Sequence, residues 1–185
     1  MTARVVAALG PGAAVRYLRN PDPRVSAQLL RLCGAQVGQR TRIKRSLFLD
    51  NTVESSTCAG DFSNLRIGGN CYVGDLVYLD LSADIQIQND AVISEGVSIL
   101  THSDCNRSTE LARLFPRKTG GVTVGAGAWL GARAIVLSGI EIGACSVVAA
   151  GSVVTSSVEP WSLVAGAPAR KIRSLERVAA PVSPP

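Results

Sequence analysis

The chain holds one histidine, one methionine and no Cys-x-x-Cys pair in 185 residues. That shortage excludes the usual zinc sites, which need several imidazole or thiolate ligands, and no metal is expected. The five cysteines (Cys33, Cys58, Cys71, Cys105, Cys145) are odd in number and lack framework spacing. Reduced, structural thiols of a cytoplasmic protein are expected instead of a disulfide scaffold. Aromatics make up only 4% against 46% hydrophobic residues, so a core must be built from aliphatics in layers. No apolar run approaches the ~20 residues that span a bilayer. Met1 to Leu9 is apolar but short, with no basic lead-in or cleavage site, so no signal peptide is expected. These absences favour a cytoplasmic location and leave loose contact with a membrane surface open. The formal charge is +5. It implies either an anionic partner or a mildly basic surface. No nucleic-acid partner is expected.

What is present is a period of six. From Val124 to Glu159 the chain divides into blocks opening at Val124, Leu130, Val136, Ile142, Val148 and Val154. The fifth positions are Ala128, Ala134, Ile140, Ser146, Ser152 and Val158, and three blocks carry Gly second. An aliphatic at position one stacks on its equivalents above and below, while a small fifth residue turns the corner. This is the pattern of a parallel β-helix, stable only as a stack. Gly at position two is expected to relieve the backbone where it bends. The count begins earlier, at Val37, Ile43 and Leu49. It weakens at Ser55 and Asp61 and returns at Ile67, Val73 and Leu79 with small or apolar fifth positions throughout. A two-residue slip near Ile85, read as a corner bulge, precedes Ile87, Ile93 and Ile99.

Three segments flank or interrupt the repeat. Residues 1–36 form a helical cap, with one helix beginning at Asp22-Pro23 and ending at Gly34. Within the β-helix of residues 37–160, residues 101–121 form an aperiodic excursion, a length that points to function. Residues 161–185 close the chain with a basic helix over Ala169–Val178 and a disordered Pro-rich tail.

His102 stands where the repeat breaks into the excursion. Imidazole, with an ordinary pKa of about 6.5, suits a base that takes a proton from an acceptor near neutral pH. A histidine that merely caps a loop is the alternative.

Two stretches, Ile93–Asp104 (ISEGVSILTHSD) and Val122–Arg173, resemble the hexapeptide-repeat acyltransferases. The likeness is to the branch holding maltose, galactoside, nodulation and exopolysaccharide acetyltransferases. It is long and specific over GAWLGARAIVLSGIEIGACSVVAAGSVVTSSVEPWSLVAGAPARKIR and weaker over Val37–Asp90. The resemblance implies a mainly β chain wound as a left-handed parallel β-helix, and a homotrimer with sites between subunits. It implies acetyl-CoA as co-substrate, no permanently bound cofactor, and His102 as the catalytic base. The expected acceptor is a sugar or glycoconjugate hydroxyl; transfer to an amine, N- or O-transfer to an antibiotic or other secondary metabolite, and a non-catalytic scaffold are the alternatives.

The resemblance also places Asp75, and more weakly Asp80, near acceptor contacts; solvated corner residues are the other reading. Asp104 or Glu95 would orient the imidazole. Trp129 aligns with a tryptophan beside the pantetheine arm, or packs in the trimer interface. Ala132, Ala150 and their small neighbours Ala149 and Gly151 lie on the implied coenzyme track. Thr155 matches a position near the nucleotide, followed by Ser156 where relatives often carry Lys. Arg170 and Arg173, in the closing motif Gly166–Arg170, would pair with coenzyme phosphates or lie on a solvated basic face. Arg107, Phe115, Pro116, Arg117 and Lys118 of the excursion are expected to reach a neighbouring subunit and shape the acceptor pocket. The spacing from Gly96 to His102 is two residues shorter than in several relatives. The lone histidine also argues against the zinc carbonic anhydrases that share this kind of solenoid.

Overall fold

The computed structural model describes residues 2–52, 61–105 and 107–176. Three helices come first: α1 (Ala3–Ala8), α2 (Pro11–Leu18) and α3 (Pro23–Leu32). The third starts as its sequence dictates. The Asp22 carboxylate accepts the Arg24 N–H, Pro23 takes the first turn, and Gly34 follows in the left-handed region at φ +103°. Leu18, Leu29 and Leu30 are fully buried where the helices pack on the first coil. The other two helices lack a side-chain N-cap bond and were not legible in the sequence.

Strands of two or three residues then succeed one another around a triangular coil. The first coil has β1 (Gln36–Val37), β2 (Arg42–Ile43) and β3 (Phe48–Asp50); the second has β4 (Leu65–Ile67), β5 (Tyr72–Val73) and β6 (Tyr78–Asp80). The third is β7 (Ile85–Ile87), β8 (Val92–Ile93) and β9 (Ser98–Ile99). The excursion contributes β10 (His102–Ser103), α4 (Thr109–Leu114) and β11 (Lys118–Thr119). The fourth and fifth coils are β12 (Val122–Val124), β13 (Trp129–Leu130), β14 (Ile135–Val136), then β15 (Glu141–Ile142), β16 (Val147–Val148) and β17 (Val153–Val154). Parallel pairing stacks these into face A (β1-β4-β7-β12-β15), face B (β2-β5-β8-β13-β16) and face C (β3-β6-β9-β14-β17). The winding is that of a left-handed parallel β-helix.

The core follows the period. Openers stack inward in columns, such as Val37–Ile67–Ile87–Val124–Ile142 on face A, and almost all are fully buried. Each buried aliphatic contributes about 1.5–3 kcal/mol. The preceding residue points outward. Face A shows solvent a polar column, Gln36–Arg66–Gln86–Thr123–Glu141. Face B shows Arg42–Tyr72–Val92–Trp129–Val147 and face C shows Phe48–Tyr78–Ser98–Ile135–Val153.

Three expectations are corrected. The glycine at position two does not relieve a bend. Gly38, Gly125 and Gly131 have ordinary φ, but an added Cβ would sit 2.3, 2.6 and 2.5 Å from backbone of the coil above. These glycines permit coils to stack closely; the left-handed residue is instead the fourth of the hexad, as at Asn70, Leu76, Asp90 and Arg133. Asp61 is also no rung. Phe48–Asp50 pairs with Tyr78–Asp80, so the first two coils are thirty residues apart, twelve beyond an eighteen-residue coil. Twelve is two hexads, which is why the count ran unbroken through an insertion. Ser55, Val53 and Ala59 lie outside the described residues.

The C-terminal basic helix is the third correction. β18 (Ser162–Gly166) continues face B, and β19 (Ala169–Ser174) returns antiparallel beside it. The top of a parallel stack leaves a row of unpaired N–H and C=O groups. A strand satisfies them and a helix would not. Arg170, Lys171 and Arg173 then protect the new edge. Leu175 and Glu176 follow without helix, and residues 177–185 lie outside the described residues.

Candidate active site

His102 is positioned by a short hairpin. β10 pairs antiparallel with β11, His102 opposite Thr119, at the corner between faces C and A. Thr101 anchors that strand: it is fully buried, its hydroxyl donates to the Asp80 carbonyl at 2.7 Å and accepts the Ala83 N–H at 3.0 Å. The Asp80 carboxylate, also fully buried, lies beneath the imidazole. Its Oδ2 is 2.6 Å from His102 Nδ1 and accepts the backbone N–H of Thr101 (2.7 Å) and of His102 (2.9 Å). Its Oδ1 accepts Asn51 Nδ2 at 2.8 Å and the Ser82 N–H at 3.1 Å.

Burial pushes the Asp80 carboxyl upward, but the bonds from His102, Thr101, Ser82 and Asn51 outweigh it and hold the group at about 2. A carboxylate ionised throughout the neutral range favours the tautomer with the proton on Nδ1. The ring is only 23% exposed.

Asp80 is therefore not an acceptor ligand: a buried carboxylate with every lone pair engaged has nothing to offer a substrate. Asp80, rather than Asp104 or Glu95, is the carboxylate in contact with the ring. Asp104 instead pairs with Arg117 at 2.8 Å, and Glu95 accepts the Tyr72 hydroxyl at 3.1 Å. Arg117 also donates to Ser82 at 3.0 Å, tying the excursion to the two-residue bulge. Asn51, Thr101 and Ser82 escaped the sequence reading. Their one signal is position: each lies where a face-C strand ends and the period fails.

The other predicted residues stand elsewhere. Asp75, Ala132 and Ala150 lie in turns at the corner between faces B and C, where the Gly151 N–H bonds Ala132 O at 2.9 Å and the Gly96 N–H bonds Asp75 O at 2.8 Å. Asp75 Oδ1 already accepts the Arg45 N–H at 2.7 Å. Trp129 projects from face B, half exposed, its indole N–H on Ser94 Oγ at 2.9 Å. Arg170 lines a cleft of about 260 Å³ with Ser156, Ser157 and Lys171, and Lys171 pairs with Glu159 at 2.7 Å. Thr155 and Arg173 are exposed and line no part of that cleft. Beyond His102 the excursion forms a second cavity, of about 340 Å³, between Asp104, Cys105, Leu111, Phe115 and Lys118. Among the described residues no cluster of three or more His, Cys, Asp or Glu is placed to hold a metal.

Residues 121–156 match the family model for the bacterial transferase hexapeptide, six repeats. Those residues carry hexapeptide repeats of the bacterial transferase type. The hexapeptide-repeat chain is 41% identical over 106 residues to serine acetyltransferase 2 of Arabidopsis thaliana, covering 56% of itself and 31% of that protein. It is 29% identical over 118 residues to the galactoside O-acetyltransferase of Escherichia coli K12, covering 61% of itself and 55% of that protein. It thus spans less than two thirds of each relative's length. A hexapeptide-repeat acetyltransferase of Vibrio cholerae, solved with acetyl coenzyme A, superposes with a TM-score of 0.73 at 25% identity. That match covers 89% of this chain and 84% of the other.

Proposed function

We propose that this chain is an acetyl-CoA-dependent O-acetyltransferase that modifies a hydroxyl of a sugar or glycoconjugate, working as a homotrimer. The observation that carries the reading is the Asp80–His102 pair, an imidazole whose Nδ1 lies 2.6 Å from a buried carboxylate. Nε2 takes the acceptor's proton as its oxygen attacks the thioester carbonyl. A backbone N–H stabilises the oxyanion; collapse expels the coenzyme thiolate, which recovers the proton from the imidazolium.

The trimer is supported by the division of the predicted residues between two corners. His102 lies at the C–A corner and the small-residue track of Ala132 and Ala150 at the B–C corner, with face C between them. A second chain that brings its B–C corner against His102 completes the site. Above Arg42, the largely apolar outward columns of faces B and C supply an interface, while the polar column of face A stays in water. Trp129 beside the track suits the pantetheine arm, and Arg170 in the terminal cleft suits its phosphates. Arg173 and Thr155 are weaker candidates for the same end. Asp75, the remaining acceptor candidate, sits on the track side rather than beside His102.

Release of free thiol from acetyl-CoA, followed across a panel of galactosides, maltose, amines and amino acids, tests the proposal. Sugar-dependent release is expected; amine-dependent release, or none, contradicts it. A non-sugar hydroxyl acceptor is the second reading, favoured by the 41% identity to a serine acetyltransferase.

A further inference from the structure

Charge is divided unevenly along the solenoid. Residues 1–45 carry nine Lys or Arg and a single acid, Asp22, for a net +8; residues 46–185 carry ten and thirteen, for a net −3. The first segment is the helical cap with β1 and β2 of the first coil, whose β3 adds only Asp50, so the excess gathers at one end of the molecule. All nine cations are exposed, and the one acid is bound to Arg24 at 2.7 Å.

The same end exposes aliphatics. The outward side of α1 is Arg4, Val5 and Ala8, continued by Leu9; that of α3, which packs beside it, includes Arg31 and Leu32. Val5, Leu9 and Leu32 are 52%, 68% and 48% exposed, although Val6, Leu29 and Leu30 beside them are buried in the cap. Water penalises such side chains, and a soluble polyanion gives them nothing. An anionic bilayer attracts the cations and also buries the aliphatics at its headgroup boundary.

We infer that the capped end is a docking surface for an anionic lipid bilayer. Val5, Leu9 and Leu32 enter the interface while Arg4, Arg16 and the cations of the first coil meet lipid phosphates. The chain lies on the membrane and does not span it: among the described residues no helix is long and apolar enough to cross. Three chains associated with parallel axes would present the surface three times and strengthen it by avidity.

Cosedimentation with lipid vesicles, without acyl donor, tests this apart from the catalytic proposal. The protein should pellet with phosphatidylcholine–phosphatidylglycerol vesicles and not with phosphatidylcholine alone, and rising salt should release it. Arg4→Gln with Arg16→Gln should weaken partition about fivefold per charge, or about 1 kcal/mol each. Val5→Ser with Leu9→Ser should weaken it about tenfold or more without lowering Tm, since both side chains are exposed. Absence of binding to the anionic vesicles overturns the inference. So does binding that Val5→Ser with Leu9→Ser leaves unchanged, because that is the behaviour of a site for soluble polyanions such as heparin.

Discussion

At the corner between faces B and C every turn has one length, from residues 44–47 in the first coil to residues 149–152 in the fifth. At the corner between faces C and A three successive steps break the period. Leu49 to Ile67, Leu79 to Ile87 and Ile99 to Val124 replace intervals of six residues. In its last two coils the regular corner offers backbone and the small side chains of Ala132, Ala149, Ala150 and Gly151, a smooth rail. The irregular corner stacks Asn51, Asp80–Ser82 and Thr101–His102 on one another, so three interruptions far apart in sequence build one hydrogen-bonded group. A solenoid places chemistry by adding residues at one edge while the openers keep the stack in register.

The sharpest way to break the comparison is to disarm the irregular corner alone. His102→Ala should cut turnover by about 10²–10⁴-fold while the chain stays folded. Asp80→Asn should cost a similar factor by releasing the ring to the wrong tautomer. Steady-state kinetics beside thermal melts would separate the two corners. A full rate in either variant would remove the base from the account.

The regular corner should instead answer to backbone crowding. Gly131→Ala puts a methyl 2.5 Å from Ala150 N and should destabilise by about 1–3 kcal/mol or more, read by urea denaturation. Gly139, at φ +77° with open space around it, lies on the other corner. Its replacement by Ala strains only the backbone, about 1 kcal/mol.

Acid should act on the irregular corner first. Asp80 holds its proton only below about 2 in the fold, against an ordinary 3.8, so the unfolded chain takes up the proton first as pH falls. Its contribution, on the order of 2 kcal/mol, is complete above about pH 5 and is lost as pH drops toward 2. Asp80→Asn should flatten that limb of a stability-versus-pH curve. The smallest effect belongs to Leu76, a left-handed residue (φ +60°) that is 58% exposed in a B–C turn. Leu76→Gly should stabilise by up to about 1 kcal/mol, seen as a small rise in Tm.

Much of this architecture was legible because a β-helix repeats its own grammar. Openers from Val37 to Val154 and the helix capped by Asp22 stand where the six-residue count and the capping rules put them. What failed did so for physical reasons. Two extra hexads after Leu49 are invisible to a count of six. Ala169–Ser174 reads as an amphipathic basic segment, and only the open edge of face B makes it a strand. Asp80 looked like any corner aspartate, because its burial depends on Asn51 and Thr101, each over twenty residues away. The outward columns needed the hexads read in threes, since only every third block faces the same way.

Mixed assembly tests the central claim most directly, that one chain's irregular corner meets another's regular rail. His102→Ala and Ala150→Trp chains would each be assayed alone, then unfolded together and refolded as hybrids. Each variant alone should be inactive. The hybrids should recover about a quarter of wild-type activity, the share of sites that draw both intact corners from different chains. Mixtures that stay as inactive as their parents would contradict a site shared between subunits.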